Sequence, residues 1–313
     1  MAGPRKSQPW PPVAVLNACP TPVSMSASRV RVFEKRALML TAYGVTHPGK
    51  VRPSNEDSMH WDLQTGLFVV ADGMGGHQAG EVASRLAIDA VRGFLESSRG
   101  DRDLTWPFGF NPSLSFNGNR LVTAVKLANR RVFDAGEEQP DYAGMGTTIV
   151  AVLVDQQQVS FCGVGDSRLY LFANGHLTQL THDDSWVAIV LANEPGVDES
   201  TLAHHPMRHV LTNVVGARDE TDVEASERTL KDGELLLLCS DGLHGSVDDA
   251  TLGSILARGG AVEKLAEQLV VAALDRNATD NVTALLVRND PGPAGPAPGG
   301  PPPDPPTQFP RPW

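Results

Sequence analysis

Short apolar runs recur between residues 37 and 290 and are separated by polar turns. Runs of this length that are rich in Val, Leu, Ile and Phe predict β-strands. Neighbouring runs joined by turns such as Asn174-Gly175 favour antiparallel pairing. The predicted strands are 37–47, 66–72, 147–155, 158–166, 168–173, 176–181, 234–241 and 281–287.

Other segments have apolar residues at helical spacing. Val82, Leu86, Ala90 and Phe94 recur every four residues and predict a helix with one apolar face. The predicted helices are 80–98, 119–136 and 261–276. The predicted loops or short irregular helices are 101–116 and 183–208. Because strands come in runs and helices in separate blocks, the pattern predicts an α+β layered domain rather than a doubly wound parallel sheet.

The two ends of the chain differ in composition from this central domain, 37–290. Residues 291–313 read PGPAGPAPGGPPPDPPTQFPRPW, and such a segment has too few apolar side chains to build a core. It is predicted to be a disordered tail, with binding of a partner domain as the alternative. Residues 1–36 are predicted to be a disordered leader, because prolines interrupt an apolar part that is too short for a signal peptide.

Charge and cysteine content narrow the class of protein. The 26 Lys and Arg against 37 Asp and Glu give a net charge of -11, which argues against a nucleic-acid surface. No apolar run approaches the roughly 18 residues of a membrane span, so a soluble protein is expected. The three cysteines, Cys19, Cys162 and Cys239, form no even disulfide framework. They are expected to be reduced thiols in a cytoplasmic protein.

Acidic residues lie at the ends of several predicted strands. Carboxylates packed together repel each other and raise each other's pKa unless cations compensate them. Oxygen ligands of this kind suit hard divalent ions such as Mg²⁺ or Mn²⁺. The acidic groups are Glu56 with Asp57, Asp72, Asp166, Asp241 and Asp280.

Each of these residues taken alone also fits an ordinary structural role. An Asp-Gly pair is common in turns, Asp57 fits a helix cap, and Asp280 fits the start of a turn. Asp166 and Arg168 fit a surface ion pair. The metal site is favoured because every group lies at the edge of an apolar run beside small residues that permit close backbone approach.

Six motifs in order resemble those of the metal-dependent, type-2C (PPM) Ser/Thr protein phosphatases in their compact bacterial form. The motifs are RPSNED (52–57), ADGMGGH (71–77), GMGTT (144–148), GVGDSRLYL (163–171), SDGL (240–243) and TDNVT (279–283). The resemblance covers roughly residues 38 to 288. It implies an α-β-β-α sandwich, in which two antiparallel sheets are flanked by helices and the metals lie in a cleft at one edge.

The resemblance implies two tightly bound Mn²⁺ or Mg²⁺ ions and a third, weaker ion. The Asp72 carboxylate is expected to bridge the first two, and Glu56 and Asp57 to hold the second ion partly through waters. Asp166 is expected to share the third ion with Asp241. The implied metal ligands are Glu56, Asp57, Asp72, the Gly73 carbonyl, Asp166, Asp241 and Asp280.

Further residues match positions that handle the substrate in this family. Arg52 resembles the arginine that binds the substrate phosphate, which suits its planar guanidinium. His77 resembles the acid that protonates the leaving alkoxide. Asn281 and Ser167 are expected to orient ligands or waters. Cys162 and Cys239 lie in apolar, strand-like runs and not in a loop that could present a cysteine-phosphatase nucleophile.

The implied activity is hydrolysis of phosphoserine and phosphothreonine by direct attack of a water activated by two metal ions. The expected substrates are phosphorylated proteins, with a cognate bacterial Ser/Thr kinase as partner, a monomeric state, and no nucleic acid or membrane as partner. The alternatives are a noncatalytic phosphoprotein-binding scaffold, a hydrolase of small phosphoesters, and a phosphatase of an anti-sigma-factor antagonist. Arg52 and the Glu56-Asp57 pair favour general phosphoprotein hydrolysis.

One segment departs from the family pattern. Asp183-Asp184-Ser185 stands where many bacterial members have Asp-His-Ser, and residues 186–216 fill the place of the flap beside the active site. The flap histidines fit either contacts to substrate or metal or an ordinary surface, and the surface role is favoured because zinc would need a cleaner ligand set. These histidines are His204, His205 and His209.

Overall fold

A computed structural model describes residues 33–35, 38–76, 78–101, 103–194, 196–202 and 205–290. Its strands are β1 (Phe33–Lys35), β2 (Leu38–His47), β3 (Asp57–Asp62), β4 (Leu67–Met74), β5 (Gly146–Thr147), β6 (Ile149–Asp155), β7 (Gln158–Val164), β8 (Arg168–Ala173), β9 (His176–Gln179), β10 (Glu224–Thr229), β11 (Leu235–Cys239) and β12 (Val282–Asp290). Its α-helices are α1 (Ala79–Ser97), α2 (Phe116–Glu138), α3 (Trp186–Asn193), α4 (Glu199–Leu202), α5 (Asp241–His244), α6 (Asp249–Leu256) and α7 (Val262–Asp275).

The strands form two antiparallel sheets. The first has the order β1-β2-β12-β11-β8-β9, and the second has the order β10-β7-β6-β4-β3, with β5 paired to β4. Helices α1 and α2 cover the outer face of the second sheet, and α6 and α7 cover the outer face of the first. The predicted α-β-β-α sandwich is therefore confirmed.

Strand β11 shows why the sequence folds into these layers. Successive side chains of a strand point to opposite faces. Leu236 and Leu238 thus pack between the sheets, while Leu235, Leu237 and Cys239 pack under the helices. A continuous apolar run is the pattern expected for a strand that is buried on both faces.

The predicted apolar face of α1 is displaced by one residue. The fully buried face carries Ala83, Ala87, Val91 and Leu95, whereas the predicted residues pack only at its margin. The two alanines allow the helix to approach the sheet closely, so small side chains rather than the largest ones define the buried face. Apolar spacing alone could not distinguish the two faces, because both sets of residues recur every four positions.

Strands β3 and β10 were not predicted, because both are polar edge strands. Strand β3 reads DSMHWD and β10 reads EASERT, and each pairs with a neighbour on one side only within its sheet. Strand β1 lies within residues 1–36, the predicted leader, so the sheet starts a few residues before the predicted boundary at residue 37. The predicted tail, 291–313, lies outside the described residues. No helix in the described ranges has both the length and the apolar character to cross a membrane.

Candidate functional site

The predicted acidic groups lie around one edge of the sandwich, where strands of both sheets begin or end. Asp57 opens β3 and is the antiparallel partner of Asp72 near the end of β4. Asp241 follows β11 through Ser240, and Asp280 precedes β12. Because β11 and β12 are adjacent in the first sheet, this edge collects carboxylates from two layers.

Asp57 ties the two sheets together at this edge. Its Oδ2 atom accepts hydrogen bonds from Ser240 Oγ at 2.7 Å and from Thr283 Oγ1 at 2.6 Å. Asp57 is only 7% exposed, and its Oδ1 atom is buried without a hydrogen-bond partner in the described part of the chain. The Asp241 Oδ1 atom has the same property. Two buried acceptor oxygens are thus available for a cation.

The carboxylates share one electrostatic environment. Burial, together with the charges of Asp241 and Asp280, outweighs the two hydroxyl hydrogen bonds and raises the pKa of Asp57 to about 7. Burial and the charges of Asp57 and Asp241 raise the pKa of Asp72 well above its usual value. Burial, followed by the charge of Asp280, also raises the pKa of Asp241. Bound cations would relieve this repulsion.

These residues fit hard divalent cations by the chemistry of their donor set. Carboxylate and backbone carbonyl oxygens are the ligands that Mg²⁺ and Mn²⁺ prefer. Within the described ranges, no three His, Cys, Asp or Glu side chains already converge as a complete metal-binding group. The fit therefore rests on the buried acceptor oxygens and the raised pKa values, not on a preformed ligand shell.

The backbone after Asp72 is held in close contact with its surroundings. The Asp72 N–H donates to Thr148 Oγ1 at 3.0 Å, and the Thr148 N–H donates to the Asp72 carbonyl at 2.8 Å. A Cβ atom at Gly73 would lie 1.9 Å from the Gly80 carbonyl oxygen. Glycine is therefore required at position 73 by the approach of α1, independently of any metal.

Asn281 fastens the segment that carries Arg52 and Glu56. Its Oδ1 atom accepts a hydrogen bond from the Glu56 N–H at 2.7 Å. Its Nδ2 atom donates to the carbonyls of Pro48 at 3.0 Å and Ser54 at 2.9 Å. Asn281 is 3% exposed, so these bonds are sheltered from water. Asn281, which was predicted to orient ligands or waters, thus binds the backbone of the loop before β3.

Arg52 lies at the rim of this edge, where its side chain is 52% exposed. One guanidinium nitrogen lies 2.7 Å from Asp280 Oδ2. The hydrogen bond and charge of Asp280 raise the pKa of Arg52. Arg52, the predicted phosphate-binding residue, thus forms a hydrogen bond with Asp280, a predicted metal ligand.

Asp166 lies beside the other carboxylates, at the start of β8. Burial and the charges of Asp241 and Asp183 raise its pKa to about 7. The His244 Nε2–H group donates to the Asp166 carbonyl at 3.0 Å. Arg168 does not pair with Asp166, because it binds Asp183 through Nε at 3.0 Å and through a terminal nitrogen at 2.7 Å.

Ser167 and Asp184 form hydrogen bonds with residues next to the carboxylates. Ser167 Oγ lies 2.7 Å from Thr148 Oγ1, which in turn accepts from the Asp72 N–H. Asp184 Oδ2 accepts from the Gly165 N–H at 3.1 Å and thereby joins the base of the flap to the strand that leads to Asp166. The sequence analysis missed the roles of Thr148 and Asp184. Thr148 ends the GMGTT motif and Asp184 lies in the segment that departs from the family pattern, but neither position indicated its hydrogen-bond partner.

The flap histidines have unequal positions. His205 stacks on Trp186, with ring centroids 4.2 Å apart, and so has a packing role. His209 is exposed, and its charge acts to lower the pKa of Asp241. His204 lies outside the described residues, as does the predicted acid His77.

Comparison with known proteins adds to this geometry. Residues 46–286 match the family described as protein phosphatase 2C. The serine/threonine phosphatase stp of Listeria monocytogenes serotype 4b is 32% identical over 253 residues, which cover 78% of this chain and 94% of that protein. The crystal structure of the Mycobacterium tuberculosis serine/threonine phosphatase PstP/Ppp is 33% identical, with a TM-score of 0.68 over 80% of this chain and 99% of that chain. A structure of the PstP catalytic domain in complex with two manganese ions is 34% identical, with a TM-score of 0.67 over 81% of this chain and 99% of that chain.

Proposed function

The chain belongs to the protein phosphatase 2C family, and we propose that it is a metal-dependent phosphatase that hydrolyses phosphoserine and phosphothreonine in other proteins. The observation that carries this proposal is the pair of buried acceptor oxygens, Asp57 Oδ1 and Asp241 Oδ1, which lack partners among the described residues. They lie among carboxylates whose pKa values are raised by burial and mutual repulsion.

The cofactor is Mn²⁺ or Mg²⁺, and the PstP catalytic domain was solved with two manganese ions. When bound, such ions would lower the pKa of a bound water and neutralise charge on phosphoryl oxygens. Asp166 serves a third, weaker ion. The residues that would hold the metals are Glu56, Asp57, Asp72, Gly73 through its carbonyl, Asp166, Asp241 and Asp280.

Arg52 captures the substrate phosphate. Its side chain is half-exposed, so it can exchange the Asp280 carboxylate for phosphate oxygens without a buried rearrangement. The planar guanidinium can contact two phosphate oxygens at once and hold the group for in-line attack. His77, which directly follows the Gly75-Gly76 turn, supplies the proton that a serine or threonine leaving group needs.

The same proposal places the chain in a phosphorylation cycle. A monomer would act on phosphoproteins in the cytoplasm and oppose a Ser/Thr kinase, with the two-sheet sandwich, which begins at β1, as the catalytic domain. The names of its relatives as serine/threonine phosphatases support the substrate class. Free, buried thiols at Cys162 and Cys239 are compatible with a reducing compartment.

Turnover of a phosphothreonine peptide, compared with nucleotides, tests the proposal. The peptide should be hydrolysed with Mn²⁺ and not after chelation, and nucleotides should be poor substrates. Asp241→Asn should abolish turnover, whereas Asp249→Asn, which changes an aspartate in α6 that accepts from Tyr170 and is not an implied metal ligand, should not. Full activity in excess chelator would overturn the metal mechanism. Peptide binding without turnover would instead support the scaffold alternative.

A further inference from the structure

An exposed aromatic cluster lies between α1 and α2. Trp106, Phe108, Phe110 and Phe116 form it, and the three phenylalanines are 43%, 50% and 42% exposed. The Trp106 ring centroid lies 5.3 Å from that of Phe110 and 5.5 Å from that of Phe116. The rings of Trp106, Phe110 and Phe116 thus form a continuous apolar surface, and surfaces of this kind mark interaction sites. The Phe108 ring centroid lies 5.9 Å from Lys126 Nζ.

Hydrogen bonds hold this loop in place. The Gly109 N–H donates to the Trp106 carbonyl at 3.1 Å and closes the turn between the rings. The Asn111 N–H donates to Asn119 Oδ1 at 2.7 Å, and Asn119 Nδ2 donates back to the Asn111 carbonyl at 2.9 Å. The aromatic cluster is therefore a preformed surface, and a ligand would not have to order it.

The aromatic cluster lies at the end of the sandwich opposite the metal edge. Asn117, next to Phe116, donates through Nδ2 to Asp155 Oδ2 at 3.2 Å. Asp155 ends β6, and β6 begins just after Thr148, which bonds Asp72 at the metal edge. The length of β6 thus separates the two sites, so a substrate held at the metals does not explain the cluster.

Strand β12 leads the chain to this same end. It starts beside the metal edge and finishes at Asp290. Asn289 Nδ2 lies 3.4 Å from the Leu230 carbonyl, and the Leu230 N–H donates to the Gln157 carbonyl at 2.8 Å. Gln157 belongs to the turn that follows Asp155, so contacts connect the end of β12 to the neighbourhood of the aromatic cluster.

We propose that residues 291–313 of the same chain dock on the aromatic cluster. The segment is rich in proline, above all at positions 301–303 and 305–306. Proline-rich chains favour the polyproline II helix, and aromatic-lined surfaces are their usual receptors. Ten residues in that conformation span about 30 Å, so the segment can cross the end of the sandwich.

Attachment to the same chain favours this occupant over one in solution. A short tether gives an effective concentration of about the millimolar range, so even a weak stacking contact is populated. Docking here leaves the metal edge open. The tail is therefore a cover for the aromatic cluster and not an inhibitor of the active site.

Nuclear magnetic resonance of the tryptophan indole groups tests this docking. The spectrum of the full chain is compared with that of a chain ending at Asp290, and Trp106→Phe assigns the signal. Truncation should shift the Trp106 signal and leave those of Trp61 and Trp186 in place. A peptide of residues 291–313 added to the truncated chain should move the signal back. An unchanged Trp106 signal after truncation would overturn the proposal.

Matched variants separate the possible occupants. The peptide with alanine at positions 301–303 and 305–306 should bind at least tenfold more weakly, and so should the original peptide to Phe110→Ser. Val271→Ser, which removes an exposed apolar side chain from α7, should not change binding. A Trp106 shift in the full chain that depends on protein concentration would show docking of a second copy's tail and would contradict the intramolecular contact.

Discussion

The Asn281 side chain accepts a hydrogen bond from the Glu56 N–H at 2.7 Å and so joins the start of β12 to the loop before β3. The loop residues Pro48 and Ser54 are bonded to the same side chain. One buried amide therefore sets the position of both an expected phosphate ligand and an expected metal ligand. The effect of this amide on metal affinity and on KM can be measured.

Asn281→Ala should loosen this loop and weaken both functions. We expect the apparent affinity for Mn²⁺ to fall by about 10–100-fold, as is usual when partners of metal ligands are lost, and KM to rise. Isothermal titration with Mn²⁺ and steady-state kinetics would measure this. Lys50→Ala is the matched control, because Lys50 is in the same loop and its exposed side chain contacts Asn277, which follows α7. Equal effects of both substitutions would show that general loop packing matters instead.

Arg52→Ala should raise KM for a phosphopeptide without weakening Mn²⁺ binding. The guanidinium contact to phosphate exists in the ground state, so its loss appears in KM. The substitution also releases Asp280 from its ion pair, which leaves that carboxylate free for a metal. Arg52→Lys should recover only part of the loss, because an ammonium group lacks the planar fork. A fall in kcat alone would contradict this role.

Asp57→Asn should stabilise the metal-free protein at pH 8 while it weakens metal binding. The asparagine oxygen can still accept from Ser240 and Thr283, but position 57 no longer carries a buried charge. Each pKa unit corresponds to about 1.4 kcal/mol, so the gain in free energy of unfolding should be on the order of a few kcal/mol. Urea unfolding in chelator would measure it.

Asp62→Asn, at the other end of the same strand, is the control for that experiment. Burial acts to raise the pKa of Asp62, but hydrogen bonds from Gln64 and Thr65 outweigh burial and lower it. This substitution should therefore destabilise the protein at pH 8. Stability changes of the same sign at both positions would contradict the electrostatic explanation.

The melting temperature of the metal-free protein should fall between about pH 4 and pH 7 and change little above that range. Asp57 and Asp166 have pKa values raised to about 7 in the folded state, against about 4 in an unfolded chain. Their contribution to stability is complete below about pH 4 and is lost as the pH rises through 7. Excess Mn²⁺ should remove the loss, so the gap between metal-loaded and metal-free melting temperatures should widen with pH. Calorimetry showing a constant gap would exclude this coupling.

His77→Ala should slow hydrolysis of a phosphothreonine peptide by about 10²–10⁴-fold, the range expected when proton transfer is lost. Hydrolysis of nitrophenyl phosphate should suffer far less, because nitrophenolate leaves without a proton. Kinetics with leaving groups of graded pKa would measure the difference. Equal slowing of all substrates, with weaker metal binding, would show that His77 supports the glycine turn instead.

The sequence predicted the layers and the edge where the acidic residues lie. The apolar runs indicated the strands, and the aspartates at their ends indicated the edge. It could not predict that Asp57 bonds Ser240 and Thr283, because those residues are separated along the chain and only the packing of two sheets brings them together. A surface ion pair between Asp166 and Arg168 was one interpretation of the sequence, but Arg168 binds Asp183 in the structure. Spacing along a chain indicates which residues share an edge, but three-dimensional packing selects the pairs.

Strand β12 has a consequence for how this protein can change over generations. Its nine residues, Val282 to Asp290, span about 30 Å between the metal edge and the opposite end of the sandwich. Both faces of the strand are buried for most of this length, so the strand itself tolerates little substitution. Natural variation along this strand is therefore expected to exchange one apolar side chain for another of similar volume, because packed layers fill the space on both of its faces.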